Sequence, residues 1–225
     1  MAGTAESGRR LVLKMSMSLD GFVCGPNGEV DRLFRTMGDP VGREWVASTL
    51  REAGAHVMGS GAYYEMAAFW PYSDLPMAAP MNQVPKIVFS NTGLRRSGAA
   101  HPTQAPAEPA AESSVGMRGA QPAGEVLRSW SEPTVVSGDL AEQLLRLKQQ
   151  PGGFLLAHGG ARFARSLVAT GLIDEYRLVV HPIALGAGQA LFSGLASPVD
   201  LKLASTTSFA SGVVAAVYHP ITGSG

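Results

Sequence analysis

Residues 11–19, LVLKMSMSL, alternate along the chain: Leu11, Leu13, Met15, Met17 and Leu19 fall on one side, Val12, Lys14, Ser16 and Ser18 on the other. That period of two predicts a strand. Short apolar runs predict further strands at AHVMG (55–59), PKIVFSN (85–91), TVV (134–136), FLLAH (154–158) and DEYRLVVHPIAL (174–185). Helices are predicted between them. Asp39-Pro40 supplies an N-cap acid and a proline for the first helical position, and this helix runs to about Ala53, where Gly54 ends it. A second helix opens near Gly61 in GAYYEMAAFWP, a third follows the capping-box pair Asp139 and Glu142, and a fourth covers ARFARSLVATG (161–171). The strand, helix and strand from 154 to 185 have the size of a βαβ crossover. LKLASTTSF and VVAAVYH, joined by Ala210-Ser211-Gly212, predict a C-terminal hairpin. The class is α/β: a mostly parallel central sheet with an antiparallel end.

Two stretches break the pattern. DGFVCGPNGEVDRLFRTMGD (20–39) carries glycines at 21, 25, 28 and 38 and reads as a mobile loop. Residues 93–129 are rich in Ala, Pro, Gly and Ser, with hardly any large apolar residue before Val126 and Leu127. They read as a flexible insertion in a single domain spanning 11–221, with a disordered tail at 1–10. No internal repeat is evident.

Composition narrows the function. Of 225 residues, 45% are apolar and 16% charged, which suits one cored domain. Lys plus Arg equals Asp plus Glu at 18 each, so no basic footprint for a nucleic-acid backbone exists. The lone Cys24 allows no internal disulfide, in keeping with a reducing compartment. The first apolar run is interrupted at Lys14, unlike a signal peptide, and no run approaches membrane-spanning length. The expectation is a cytoplasmic protein without a membrane partner. His56, His101, His181 and His219 show no metal-ligand spacing, and HExxH and CxxC are absent, so no metal is expected.

The chemistry concentrates where strands meet glycines. In AHGGARFARSLV (157–168) His158 ends a strand, Gly159 and Gly160 remove side chains, and a helix follows. Helix N-termini present free N–H groups and a partial positive charge. Arg162 in the first turn opposes that dipole by about 0.3–1 kcal/mol, a sign that a bound anion would reverse. A tight turn with a solvated arginine is an equal alternative. MGSGAYY (58–64) repeats the strand-to-helix glycine turn, and two such turns suit a ligand with two phosphates; either alone is an ordinary helix start. Ser90, Asn91 and Thr92 end a third strand, as polar turns often do. Candidate proton donors are Asp31, Glu44 and His158, although the two acids are also at home in solvent. Asp20 is expected to bond its own backbone in a turn. Trp45, Tyr63, Phe69 and Trp70 could wall a flat heterocycle; core packing is the alternative, favoured for the last two. Cys24 lies either near a cofactor or in the core as a small hydrophobe.

The segments MSLDGFVCGPNG, MGSGAYYEMAAFWP, KIVFSNT, VVSGDL and GGARFARSLVATGLIDEYRLVVHPIALGAGQALF together resemble the dihydrofolate reductase superfamily. The nearest branch is the C-terminal reductase domain of bifunctional riboflavin-biosynthesis proteins. The resemblance implies a three-layer fold, NADPH as cofactor, a homodimer, and hydride transfer to a small heterocycle such as a pterin or pyrimidine. It implies that Gly159, Gly160, Ala161, Arg162 and Phe163 hold the pyrophosphate and that Gly59, Ser60, Gly61 and Ala62 approach it from the other side. Ser90, Asn91 and Thr92 would lie near the adenosine ribose. Phe22 to Gly25, with Val23 and Cys24, would pass the nicotinamide, and Gly186 and Gly188 would border the substrate with Trp45 and Tyr63. Relatives often carry Arg and Thr at the positions of Ser60 and Ala62, and Arg at that of Asn91. Arg95 or Arg96 could supply the missing phosphate contact. These departures keep open NADH use, and a catalytically silent dimeric binding or regulatory protein as the alternative function.

Overall fold

The computed structural model describes residues 8–94 and 122–221. In chain order the elements are β1 (Leu11–Ser18), β2 (Phe22–Cys24), α1 (Asp31–Phe34), α2 (Pro40–Arg51), β3 (Ala55–Gly59), α3 (Ser60–Phe69), a short 3-10 turn (Trp70–Tyr72), α4 (Ala78–Gln83), β4 (Lys86–Phe89), α5 (Gly124–Ser131), β5 (Thr134–Val136), α6 (Leu140–Lys148), β6 (Leu155–His158), α7 (Ala161–Thr170), β7 (Glu175–His181), β8 (Gln189–Ala190), β9 (Leu201–Ser208) and β10 (Val214–Pro220). The main sheet has eight strands in the order β5-β4-β3-β6-β1-β7-β10-β9. Its first six strands are mutually parallel, and β10 is antiparallel to both β7 and β9.

The alternation in β1 separates two cores. Leu11, Leu13, Met15 and Met17 face α6 and α7 and pack with Leu144, Leu147, Ala164, Leu167 and Val168. Val12 faces the other way, with Met58, Val88 and Leu156, against Val46, Ala47 and Leu50 of α2, Tyr63 of α3 and Met81 of α4. The result is three layers, helices on both faces of a mostly parallel sheet, as expected. None of the described helices is long and apolar enough to cross a membrane.

Caps fall where the sequence places them, with one difference. Asp39 Oδ1 accepts from Val41 N (2.9 Å) and Asp139 Oδ1 from Glu142 N (2.9 Å). Glu142, however, turns to Arg146 rather than back to the cap, so the box is only half made.

The glycine-rich stretch 20–39 is not all loop: β2 pairs with β8, and α1 makes one turn. The end of the expected insertion is also structured. α5 begins at Gly124, Trp130 is buried, its Nε1 donates to Asn82 Oδ1 (2.7 Å), and Lys86 Nζ stands 4.6 Å over its ring. The expected tail is anchored at its end, where Arg9 N donates to Lys148 O (2.6 Å). Residues 1–7 and 95–121 of these segments lie outside the described residues.

Candidate active site at the carboxyl edge of the sheet

The parallel strands β1, β3, β4, β6 and β7 all end on one edge, the side on which ligands collect in open α/β sheets. There, Gly159 (φ +75°) and Gly160 (φ +72°) turn the chain from β6 into α7. L side chains rarely take that backbone conformation, so the turn depends on glycine. A Cβ on Gly160 would stand 3.4 Å from Ala62 Cβ, and one on Gly59 3.3 Å from Phe163 Cβ. The two glycine turns therefore abut. One flank is closed by Met66, whose Cε lies 2.5 Å from where a Cβ on Gly159 would be.

No side chain caps α3 or α7, whereas aspartates cap α2 and α6. The leading N–H groups of a helix have no intrahelical partner. Two uncapped N-termini, side by side at the strand ends, fit a diphosphate. Arg162 is exposed in the first turn of α7, and Ala161 and Phe163 are half-buried beside it. In the first turn of α3, Ser60 is half-buried, Gly61 exposed and Ala62 buried.

Other expected contacts are less free. Ser90 Oγ donates to Gly93 O (2.7 Å), and Asn91 Oδ1 accepts from Gly138 N (2.9 Å), so both hold turns together; Thr92 is exposed. Arg95, Arg96 and His101 lie outside the described residues. Val23 and Cys24 are buried in β2 against the core, and burial pushes the Cys24 thiol up. Gly188 packs against them so closely that a Cβ would sit 2.2 Å from Cys24 O. Asp20 bonds its own backbone, as expected, and also reaches beyond its turn. Its carboxylate accepts from Leu185 N (3.0 Å) and Gly186 N (2.7 Å), tying the β1 end to the loop after β7. A Ser18 hydrogen bond and those amides hold its carboxyl down to about 2.

The expected proton donors and aromatic residues lie on α1, α2, α3, the 3-10 turn and β6. Asp31 and Glu44 are exposed, on α1 and α2, and Glu44 is paired with Arg51. His158 is buried, with Nε2 3.1 Å from His56 Nδ1, and His56 Nε2 lies 3.3 Å from Pro80 O. A carbonyl only accepts, so neutral His56 carries its proton on Nε2 and takes the His158 proton on Nδ1. The His158 N–H is thus committed. Burial above all, with the Lys14 ammonium and the adjoining His56 ring opposing a further proton, holds this ring far below the usual histidine range. Tyr63 is buried in the core, with its hydroxyl on Trp130 O, whereas Trp45 is half-buried and packs beside Val179 and Phe209. Phe69 and Trp70 pack edge to face on each other, 5.0 Å apart.

Lys14 was not among the expected site residues. It pairs in register with His158 on β6 and Arg177 on β7, half-buried, and no hydrogen bond or ion pair links its ammonium to another described residue. Burial lowers it to about 8. Its sequence signal was a lone cation on the Val12–Ser18 side of a strand. Only the fold shows that this side is covered by helices.

Comparison with known proteins agrees with this geometry. A Shewanella sp. PV-4 protein assigned to riboflavin biosynthesis has a similar fold (TM-score 0.65, 19% identity, 95% of this chain and 99% of that one). Enterococcus faecalis dihydrofolate reductase, solved with NADP(H), shares the fold more distantly (TM-score 0.52, 12% identity, 94% and 96%). The uncharacterised Bacillus subtilis protein YyaP is 26% identical over 216 residues, 94% of this chain and 95% of its own. Residues 9–215 match the model of the RibD C-terminal domain. With its three layers, strand-edge glycine turns and reductase-like neighbours, the chain belongs to the RibD C-terminal domain family.

Proposed function

We propose that the protein is an NADPH-dependent reductase that reduces a small nitrogen heterocycle. The observation that carries this reading is the pair of uncapped helix N-termini meeting at Gly59–Ala62 and Gly159–Phe163, where Arg162 can add a guanidinium to the phosphates. NADPH, when bound, supplies the hydride. The chain's own part is to place and polarise the substrate. Lys14 offers an ammonium, lowered by burial to about 8, to the atom that gains negative charge, and can give it the proton. His158, kept neutral chiefly by burial, adds no competing charge beside it. The segment from Asp20 to Gly25, which contains β2 and is tethered to Gly186, borders the substrate's entry. A homodimer belongs to this reading, and the exposed edge strand β9, with Leu203 49% exposed, is a surface suited to it.

Loss of nicotinamide absorbance, scanned over dihydropterins and aminopyrimidinones, tests the reading. At least one is expected to be reduced, and Lys14→Met to lower kcat by about 10²–10⁴-fold. NADPH oxidation by none of them would overturn it.

A further inference from the structure

Among the described residues three buried side-chain polar atoms have no hydrogen-bond partner: Ser211 Oγ, in the turn between β9 and β10, and two on adjacent strands, Ser16 Oγ and His181 Nε2. The last two are neighbours by register. Ser16 lies beside Val179 and Ser18 beside His181, so Ser16 and His181 stand one step apart on the same face of adjacent strands. Lys14 is the next residue of β1 on that face, and its charge is felt at His181.

The proton on His181 can be assigned. Thr36 Oγ1 is 2.6 Å from His181 Nδ1 and 3.2 Å from Leu33 O. A hydroxyl has one proton and Leu33 O only accepts. Both contacts are satisfied together only when Thr36 donates to Leu33 and accepts from His181 Nδ1–H. Nε2 is then a bare lone pair, buried with nothing to receive. Such an atom is costly to leave unpaired. The ring is fully buried, and the segment that reaches it through Thr36 follows α1, a helix of four residues with only Leu33 buried.

We propose that His181 and Ser16 are specificity-determining residues that read the polar edge of the ligand, exposed when α1 and Thr36 move aside. Lys14 donates, His181 Nε2 accepts, and Ser16 does either. That set fits a ring carbonyl adjoining a ring N–H, the edge of a cyclic amide or imide. The proposal rests on the reading that the strand-edge cleft receives the substrate.

The test is fluorescence titration with lumazine, which has ring N–H donors, and 1,3-dimethyllumazine, which has the same carbonyls and none. The full chain should bind lumazine at least about tenfold more tightly. His181→Phe should erase that preference, and Ser16→Ala should weaken lumazine severalfold while the variant still melts as one cooperative unit. Equal binding of the two probes by the native chain, a preference that survives His181→Phe, or no lumazine binding at millimolar concentration would overturn it. If NADPH fails to raise the melting temperature while the lumazine preference and its loss in His181→Phe hold, the cofactor reading falls and this pair stands.

Discussion

At Lys14 an ammonium stands on a sheet face otherwise packed with Val12, Met58, Val88 and Leu156, and three histidines share that face. Burial holds His56 and His181 down to about 4 from an ordinary 6.5. Unfolding frees these rings to take up protons near pH 6.5 that the folded chain refuses until about pH 4. Stability is therefore full above pH 6.5 and is lost as pH falls toward 4. The melting temperature should drop between pH 7 and pH 5, and His56→Gln should flatten part of that drop; a level profile would show that the rings are not held neutral. The alternation around Lys14 was legible in the sequence, but its meaning was not. A strand period names two faces without saying that both are covered. The partners of His158 were equally hidden, because His56 is 102 residues away along the chain.

Elements with strong periodicity and good caps were the readable ones. α2 starts at Pro40 behind its Asp39 cap, and α7 runs Ala161–Thr170 before Gly171 at φ +67°. Leu167, fully buried on α7, should cost about 2–5 kcal/mol when truncated to Ala, measured by denaturant unfolding. α1, α4 and α5 were missed because each is short and leans on tertiary contacts. α5 follows a stretch rich in Pro, Ala and Gly, and only Trp130 of its residues is buried. Its packing on Asn82, Lys86 and Tyr63 holds it in place. Trp130→Ala should therefore destabilise by about 3–5 kcal/mol, far more than expected of a residue at the edge of a mobile insertion; a near-neutral change would restore the flexible reading.

On the scale of the whole molecule, the sheet order brings β3 and β6 together although nearly a hundred residues separate them, and that juxtaposition makes one site of two ordinary helix starts. The three layers and the parallel sheet were legible; the departure of Tyr63 into the core was not, since an aromatic side chain suits a wall or a core alike. Static light scattering should give the mass of two chains, and Leu203→Lys on β9 should lower it to one; a native monomer would remove the dimer from the account. The claim on which the rest depends is that a dinucleotide's phosphates sit on the uncapped N-termini of α3 and α7. The direct measurement is thermal unfolding with and without NADPH at a hundred times its Kd. The native chain should gain about 2.7 kcal/mol, a rise of roughly 5–11 °C. Gly160→Asp, which sets a carboxylate against the phosphates, should abolish the rise, while Gly160→Asn should keep part of it. A native chain that does not respond to NADPH, or a Gly160→Asp variant that responds as fully as the native, would contradict the account.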